Sequence, residues 1–335
     1  MSSKKKIVTP FSITQRTLSS GERIELPQNT IKDKTHLSFT ARLDSLGEGR
    51  LIVGHGYDQP NGGWIEITKR EVSAFNFYSW KDPKAQPIAE KTQHGLDISE
   101  FITVIIDKDY QRGDYARITT AAGSFTYPVS GISGYDGSPL AIADGVSLSD
   151  CILNFTSEAY AAPIWLYGDS YLNHADSVRW PYYLYQDGYT DVLLAAYPGE
   201  NSQRAIIDFE LAVTRGTPEF ALWLLGMNNG EGESAEPNPY WLAATERFLA
   251  ICKEKGTTPI LATIPTTPKI NNAPKNEWVR RSGYRYIDFN RAVGADISPS
   301  WYSGMLSEDQ VHPAALGAQA LYARVLTDFP EIMRR

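Results

Sequence analysis

The spacing of apolar side chains changes character near residue 160. Before it, residues 36–43, 64–68 and 116–120 alternate apolar and polar positions, the period-two pattern of strands with one buried face. Residues 101–106 form a more continuous β-branched run, which predicts a strand covered on both faces. Turn chemistry separates these runs, as at 59–63 and 135–139. Many short strands joined this way predict an all-β sandwich or jelly roll over residues 1–160. From Pro163 onward, short apolar runs at 164–167, 191–196, 220–225, 259–264 and 284–288 alternate with amphipathic stretches near 176–185, 202–213, 238–255 and 314–328. That alternation predicts an α/β domain over 161–335: a flavodoxin-like, five-stranded parallel sheet flanked by helices.

Ligands of open parallel sheets bind beyond the carboxyl ends of the strands, so the turns there are the places to look for chemistry. The first is Gly168-Asp169-Ser170-Tyr171, which predicts a serine entering a helix N-terminus with backbone N–H groups aimed outward. The second, Tyr197-Pro198-Gly199-Glu200-Asn201-Ser202, has a glycine that lets a ligand approach the backbone. The third, Gly226-Met227-Asn228-Asn229-Gly230, offers the side-chain amide of Asn228. Before the last helix, Asp309 and His312 stand three apart, within reach of one loop or helical turn. A carboxylate on one imidazole nitrogen leaves the other free to take a serine proton.

These four turns resemble the blocks of the GDSL/SGNH hydrolase family: Gly168-Asp169-Ser170 the first, Gly199 the second, Gly226-x-Asn228 the third and Asp309-x-x-His312-Pro313 the last. The resemblance covers residues 163–330. It implies a carboxylic ester hydrolase with Ser170 as nucleophile, His312 as general base and Asp309 as its orienting carboxylate. It also implies an oxyanion hole made by the backbone N–H groups of Ser170 and Gly199 and the side chain of Asn228. Two positions depart from the pattern: Tyr171 stands where the family has leucine, and Asn229 where the third block often has aspartate. No Gly-x-Ser-x-Gly occurs, which argues against the nucleophile elbow of the α/β-hydrolases.

Each motif residue also has a plainer reading. Ser170 alone would serve as a helix N-cap, Gly199 as a turn residue and Asn228 as a local cap. His174, four residues after Ser170, is a competing base that a helix would set along its axis rather than across the crevice, which leaves it to line the pocket. Tyr171, Trp301 and Tyr302 join it as candidate pocket residues. His55 has no partners at metal-ligand spacing, and no metal or organic cofactor is expected.

Composition narrows the partners. A net charge of −7 and a pI near 5.4 disfavour capture of phosphate backbones, and Lys4-Lys5-Lys6 reads as a solvated terminus, so no nucleic-acid partner is expected. No run approaches the ~18 apolar residues of a membrane span. The start of the chain lacks the apolar core of a secretory signal, so the expectation is cytoplasmic if the chain is full length, and secreted or periplasmic if a leader was removed. Two cysteines, Cys151 and Cys252, are too few for a disulfide framework. The family resemblance, together with the attached β domain, implies a small-molecule or glycan ester as substrate, most simply an acetylated carbohydrate. A lipid ester or thioester, or a glycan-binding protein on a hydrolase scaffold, are the alternatives, and a homo-oligomer stays open.

Overall fold

A computed structural model describes residues 11–27, 34–58, 62–77, 85–88, 91–108, 114–129, 138–173, 179–230, 236–294 and 299–333. His174, Trp80 and Lys4 to Lys6 lie outside the described residues, as do most of the 59–63 and 135–139 turns. The chain divides into two compact units, Ile7–Glu158 and a second holding Ala159–Arg335.

The first unit is a sandwich of two antiparallel sheets. One sheet runs in the order Phe11–Leu18, Leu148–Ser157, Thr35–Leu43, Glu100–Lys108, Tyr115–Thr120, Gly123–Pro128. The other runs Arg23–Glu25, Pro139–Asp144, Arg50–His55, Gly63–Thr68, Glu71–Phe77, Ala85–Pro87. Inward residues such as Leu37, Phe39, Ala41, Ile102, Val104 and Ile106 are almost fully buried, and the ring of His55 meets the edge of Phe155 across the two layers at 5.6 Å. The 101–106 run behaves differently from its pattern: Phe101, Thr103 and Ile105 are only half-buried. Its β-branched outer face lies among cross-strand neighbours rather than beneath a second layer.

The second unit carries a parallel sheet whose strands are labelled β1 (Ile164–Gly168), β2 (Val192–Ala196), β3 (Phe220–Leu224), β4 (Thr258–Ala262) and β5 (Tyr286–Ile287). Their order is β2-β1-β3-β4-β5, all parallel, the doubly wound arrangement. Every residue of β1 and β2 is buried, because helices cover both faces and alternation has no value there. The helices are α1 (Trp180–Gln186), α2 (Ser202–Ala212), α3 (Pro239–Lys255), α4 (Ala273–Arg281), α5 (Phe289–Val293) and α6 (Ala315–Asp328). Trp165, Tyr167 and Trp223 project from the sheet onto Phe209 of α2 and Phe248 of α3, with Tyr167 and Phe209 edge to face at 5.0 Å and Trp223 stacked on Phe248 at 4.7 Å. Two helices, α4 and α5, were not foreseen. The first has only Trp278 and Val279 as large apolar positions, and the second is five residues long, both below what periodicity detects.

Candidate active site

Ser170 sits at the carboxyl end of β1, the central crossing point where the chain winds off to either side of the sheet. It occupies a turn, not the first residue of a helix as its sequence context predicts: Leu172 and Asn173 both donate backbone N–H groups to the carbonyl of Asp169, and α1 begins only at Trp180. Gly168 is required for this close turn, since a Cβ there would lie 2.4 Å from Leu172 Cδ1 and 3.0 Å from the Leu224 carbonyl.

His312 arrives from the far end of the sequence on a loop closed on itself. Leu306 and Pro313 form an isolated bridge, and Ser307 N–H donates to the His312 carbonyl at 2.9 Å. Within it Gln310 adopts a left-handed φ of +61°, which turns the Val311 and His312 N–H groups onto Asp309 Oδ1 at 2.8 and 2.9 Å. Ser307 Oγ donates to the same oxygen at 2.6 Å. Partial burial pushes the Asp309 carboxyl up, but the His312 N–H, the Ser307 hydroxyl, the imidazole and the Val311 N–H together hold it well below the usual carboxylate range. Asp309 Oδ2 faces His312 Nδ1 at 2.6 Å, so that nitrogen carries the proton and Nε2 is left as acceptor. Ser170 Oγ lies 2.8 Å from Nε2. A hydroxyl, an imidazole and a charged carboxylate thus stand in line, an arrangement able to withdraw the serine proton.

The other two turns crowd against the first. Tyr197 N–H donates to the Gly168 carbonyl at 3.3 Å, and Asn228 Nδ2 donates to the Glu200 carbonyl at 2.9 Å. The same amide lies 3.4 Å from Asp169 Oδ2. Gly199 has a left-handed φ of +81° with open space where a Cβ would project, leaving its side of the crevice accessible. Gly226 is constrained in the opposite way, with a φ of +137° and the Ile264 and Trp241 side chains 2.4 and 2.8 Å from a would-be Cβ. Asn229 accepts from Ser202 N–H at 3.1 Å and donates to its hydroxyl at 2.9 Å, so this departure from the family pattern ties the third turn to the start of α2.

Sequence reasoning missed three charged residues around this centre, all buried. Asp169 accepts from Tyr171 N–H at 3.0 Å, yet burial outweighs that bond and the positive charges of Arg179 and Lys275, pushing its carboxyl up to about 7. Arg179 Nε donates to the Ser170 carbonyl at 2.5 Å. Lys275 Nζ donates to the Gly226 and Gly230 carbonyls, both at 2.8 Å, and to Asn272 Oδ1 at 2.9 Å. Asp169 stands inside the Gly168-Asp169-Ser170 block, where nothing marks its burial, and no local pattern marks Arg179 or Lys275, most of whose partners lie far away in sequence.

The expected pocket residues fare unevenly. Tyr171 is 1% exposed and so offers a ligand no surface; its hydroxyl donates to the Val311 carbonyl at 2.6 Å. Trp301 Nε1 donates to the Thr266 carbonyl at 2.8 Å, and Tyr302 is largely exposed. His55 is buried in the β-sandwich unit. Among the described residues, no three His, Cys, Asp or Glu side chains are grouped to hold a metal ion, and no helix is long and apolar enough to cross a membrane.

No protein-family model matches the sequence, and no curated protein does. Solved structures similar to part of the chain include a GDSL-like lipase from Bacteroides thetaiotaomicron, at 14% identity over 51% of this chain and 88% of that one, with a TM-score of 0.40. An acetylxylan esterase from Geobacillus stearothermophilus is similar at 15% identity over 52% of this chain and 95% of that one, with a TM-score of 0.39.

Proposed function

We propose that this protein is a serine esterase of the SGNH type that removes a small acyl group, acetyl in the first instance, from a carbohydrate. The observation that carries the reading is the unbroken run from Ser170 Oγ to His312 Nε2 at 2.8 Å and from His312 Nδ1 to Asp309 Oδ2 at 2.6 Å. Ser170 attacks the ester carbonyl while Nε2 takes its proton, and the charged Asp309 stabilises the imidazolium that results. The tetrahedral oxyanion is held by the N–H groups of Ser170 and Gly199 and by Asn228 Nδ2, whose 3.4 Å contact with Asp169 is the one an oxyanion can replace. Collapse expels the alcohol, which takes the proton from His312. Water then attacks the acyl-enzyme by the same path and releases the acid. Resemblance of the four blocks to a family rich in such esterases, and a β-sandwich of the kind that accompanies glycan-directed catalysis, support the carbohydrate ester.

Hydrolysis of acetylated sugars and of p-nitrophenyl esters of increasing acyl length tests this directly. Wild type should favour acetyl, and Ser170→Ala should lower kcat by about 10⁴-fold or more and abolish labelling by a fluorophosphonate. Rising turnover with chain length would replace the acetyl assignment with a lipid ester. Equal labelling of Ser170→Ala would remove Ser170 as nucleophile, and an inert wild type would leave a glycan-binding scaffold.

A further inference from the structure

Ser170 and His312 are 142 residues apart, one on the turn after β1 and the other on the loop before α6, yet they meet at 2.8 Å. Two buried side chains span the gap between those segments. The Tyr171 hydroxyl donates to the Val311 carbonyl at 2.6 Å, and its ring lies 6.2 Å from the imidazole. The Arg179 guanidinium donates through Nε to the Ser170 carbonyl at 2.5 Å and points Nη1 at the Pro313 carbonyl, 3.5 Å away. The carbonyls on either side of His312 are therefore each approached by a donor that belongs to the Ser170 segment. Tyr171 and Arg179 are 1% and 4% exposed, so water does not compete for either bond.

We propose that Tyr171 and Arg179 are positioning residues that fix His312 over Ser170 by holding the carbonyls of Val311 and Pro313, the residues on either side of it. The proposal rests on the esterase reading and deepens it. A phenol at 171 does what the leucine of the related pattern cannot, because leucine has no donor for the Val311 carbonyl. Neither residue touches the reacting atoms: Tyr171 acts through the loop that carries the base, and Arg179 through that loop and the backbone of Ser170 together. Displacement of about 1 Å between catalytic groups costs on the order of 10²-fold in rate, so the loss of one strut should appear in turnover rather than in substrate affinity.

The test compares wild type, Tyr171→Phe and Arg179→Lys on p-nitrophenyl acetate, with kcat and KM separated, the rate of fluorophosphonate labelling measured, and a thermal melt run on each protein. Tyr171→Phe keeps the buried ring and removes only the donor. The expected result is a cooperative melt, KM within about twofold of wild type, and kcat and labelling rate both reduced about tenfold or more. Arg179→Lys keeps one donor for Ser170 and loses simultaneous reach to Pro313, so a smaller fall in kcat with unchanged KM is expected. Unchanged kcat in Tyr171→Phe, or a raised KM with unchanged kcat, overturns the proposal while leaving the esterase reading intact. Should Tyr171→Phe fail to fold, kcat of Arg179→Lys decides by the same criterion. A wild type inert to both reagents overturns the esterase reading, and this proposal with it.

Discussion

At the residue scale, the group with the clearest pH consequence is Asp169, buried next to Ser170 with its carboxyl pushed up to about 7. An unfolded aspartate titrates near 3.9, so between about pH 4 and 7 the folded chain binds a proton that the unfolded chain has lost. The sign follows: Asp169 makes folding less favourable as pH rises through that window. Asp169→Asn keeps an acceptor for the Tyr171 N–H and cannot ionise. Its stability relative to wild type should therefore improve from pH 5 to pH 8, by about 2–3 kcal/mol, in thermal or urea melts at the two pH values. A constant difference would show that Asp169 does not change charge there. Ser170, Gly199, Asn228, Asp309 and His312 could be singled out in the sequence because each candidate is a distinctive residue type in a strand-end turn or in the loop before the last helix, and the fold brings Ser170, His312 and Asp309 into one hydrogen-bonded row. Tyr171, Arg179 and Lys275 act mainly on backbone carbonyls, and a carbonyl has no sequence signature, so their work was invisible until the chain was folded.

At the element scale, the turn bearing Asn228 is held at both ends by one buried ammonium. Lys275, near the start of α4, donates to Gly226 and Gly230, the residues that bracket the Met227–Asn229 turn. Lys275→Met would leave two carbonyls and the Asn272 oxygen without that donor, while relieving the cost of burying the charge. The expected net effect is a loss of roughly 2–4 kcal/mol in urea unfolding, accompanied by lower kcat as Asn228 loses its frame. A variant as stable as wild type would mean that the turn holds itself. The helix that supplies Lys275 is also one the apolar pattern did not announce. Its buried face is built from Lys275, Asn276 and Val279, so polar side chains satisfied by backbone partners occupy positions where amphipathic periodicity expects hydrocarbon. The strands β1 to β4 were readable for the opposite reason, since a two-sided hydrophobic environment writes itself as an uninterrupted apolar run.

At the scale of the whole molecule, the change of pattern near residue 160 corresponds to a change of architecture, and each unit buries a core of its own. In the second unit Trp165, Trp180, Trp223 and Trp241 are essentially fully buried, and the sheet that seats Ser170 is closed by helices of the same unit. The hydrogen bonds of His312 with Ser170 and with Asp309, and those of Tyr171, Arg179 and Lys275, also begin and end between residues 169 and 313. A segment of about 175 residues buries roughly 70% of the surface its unfolded chain exposes, enough for independent folding. Residues 159–335 expressed alone should therefore melt cooperatively, show the near-ultraviolet signal of fixed tryptophans, and hydrolyse p-nitrophenyl acetate in a Ser170-dependent manner. Turnover of acetylated sugars by the same fragment then tests whether the β-sandwich takes part in substrate capture. If sugar esters are cleaved as by the full chain, the sandwich takes no part in substrate capture. If p-nitrophenyl acetate turnover survives while KM for the sugar ester rises severalfold, substrate capture is its contribution. A fragment that melts without cooperativity would mean that the second core, despite its size, depends on residues 7–158 to form.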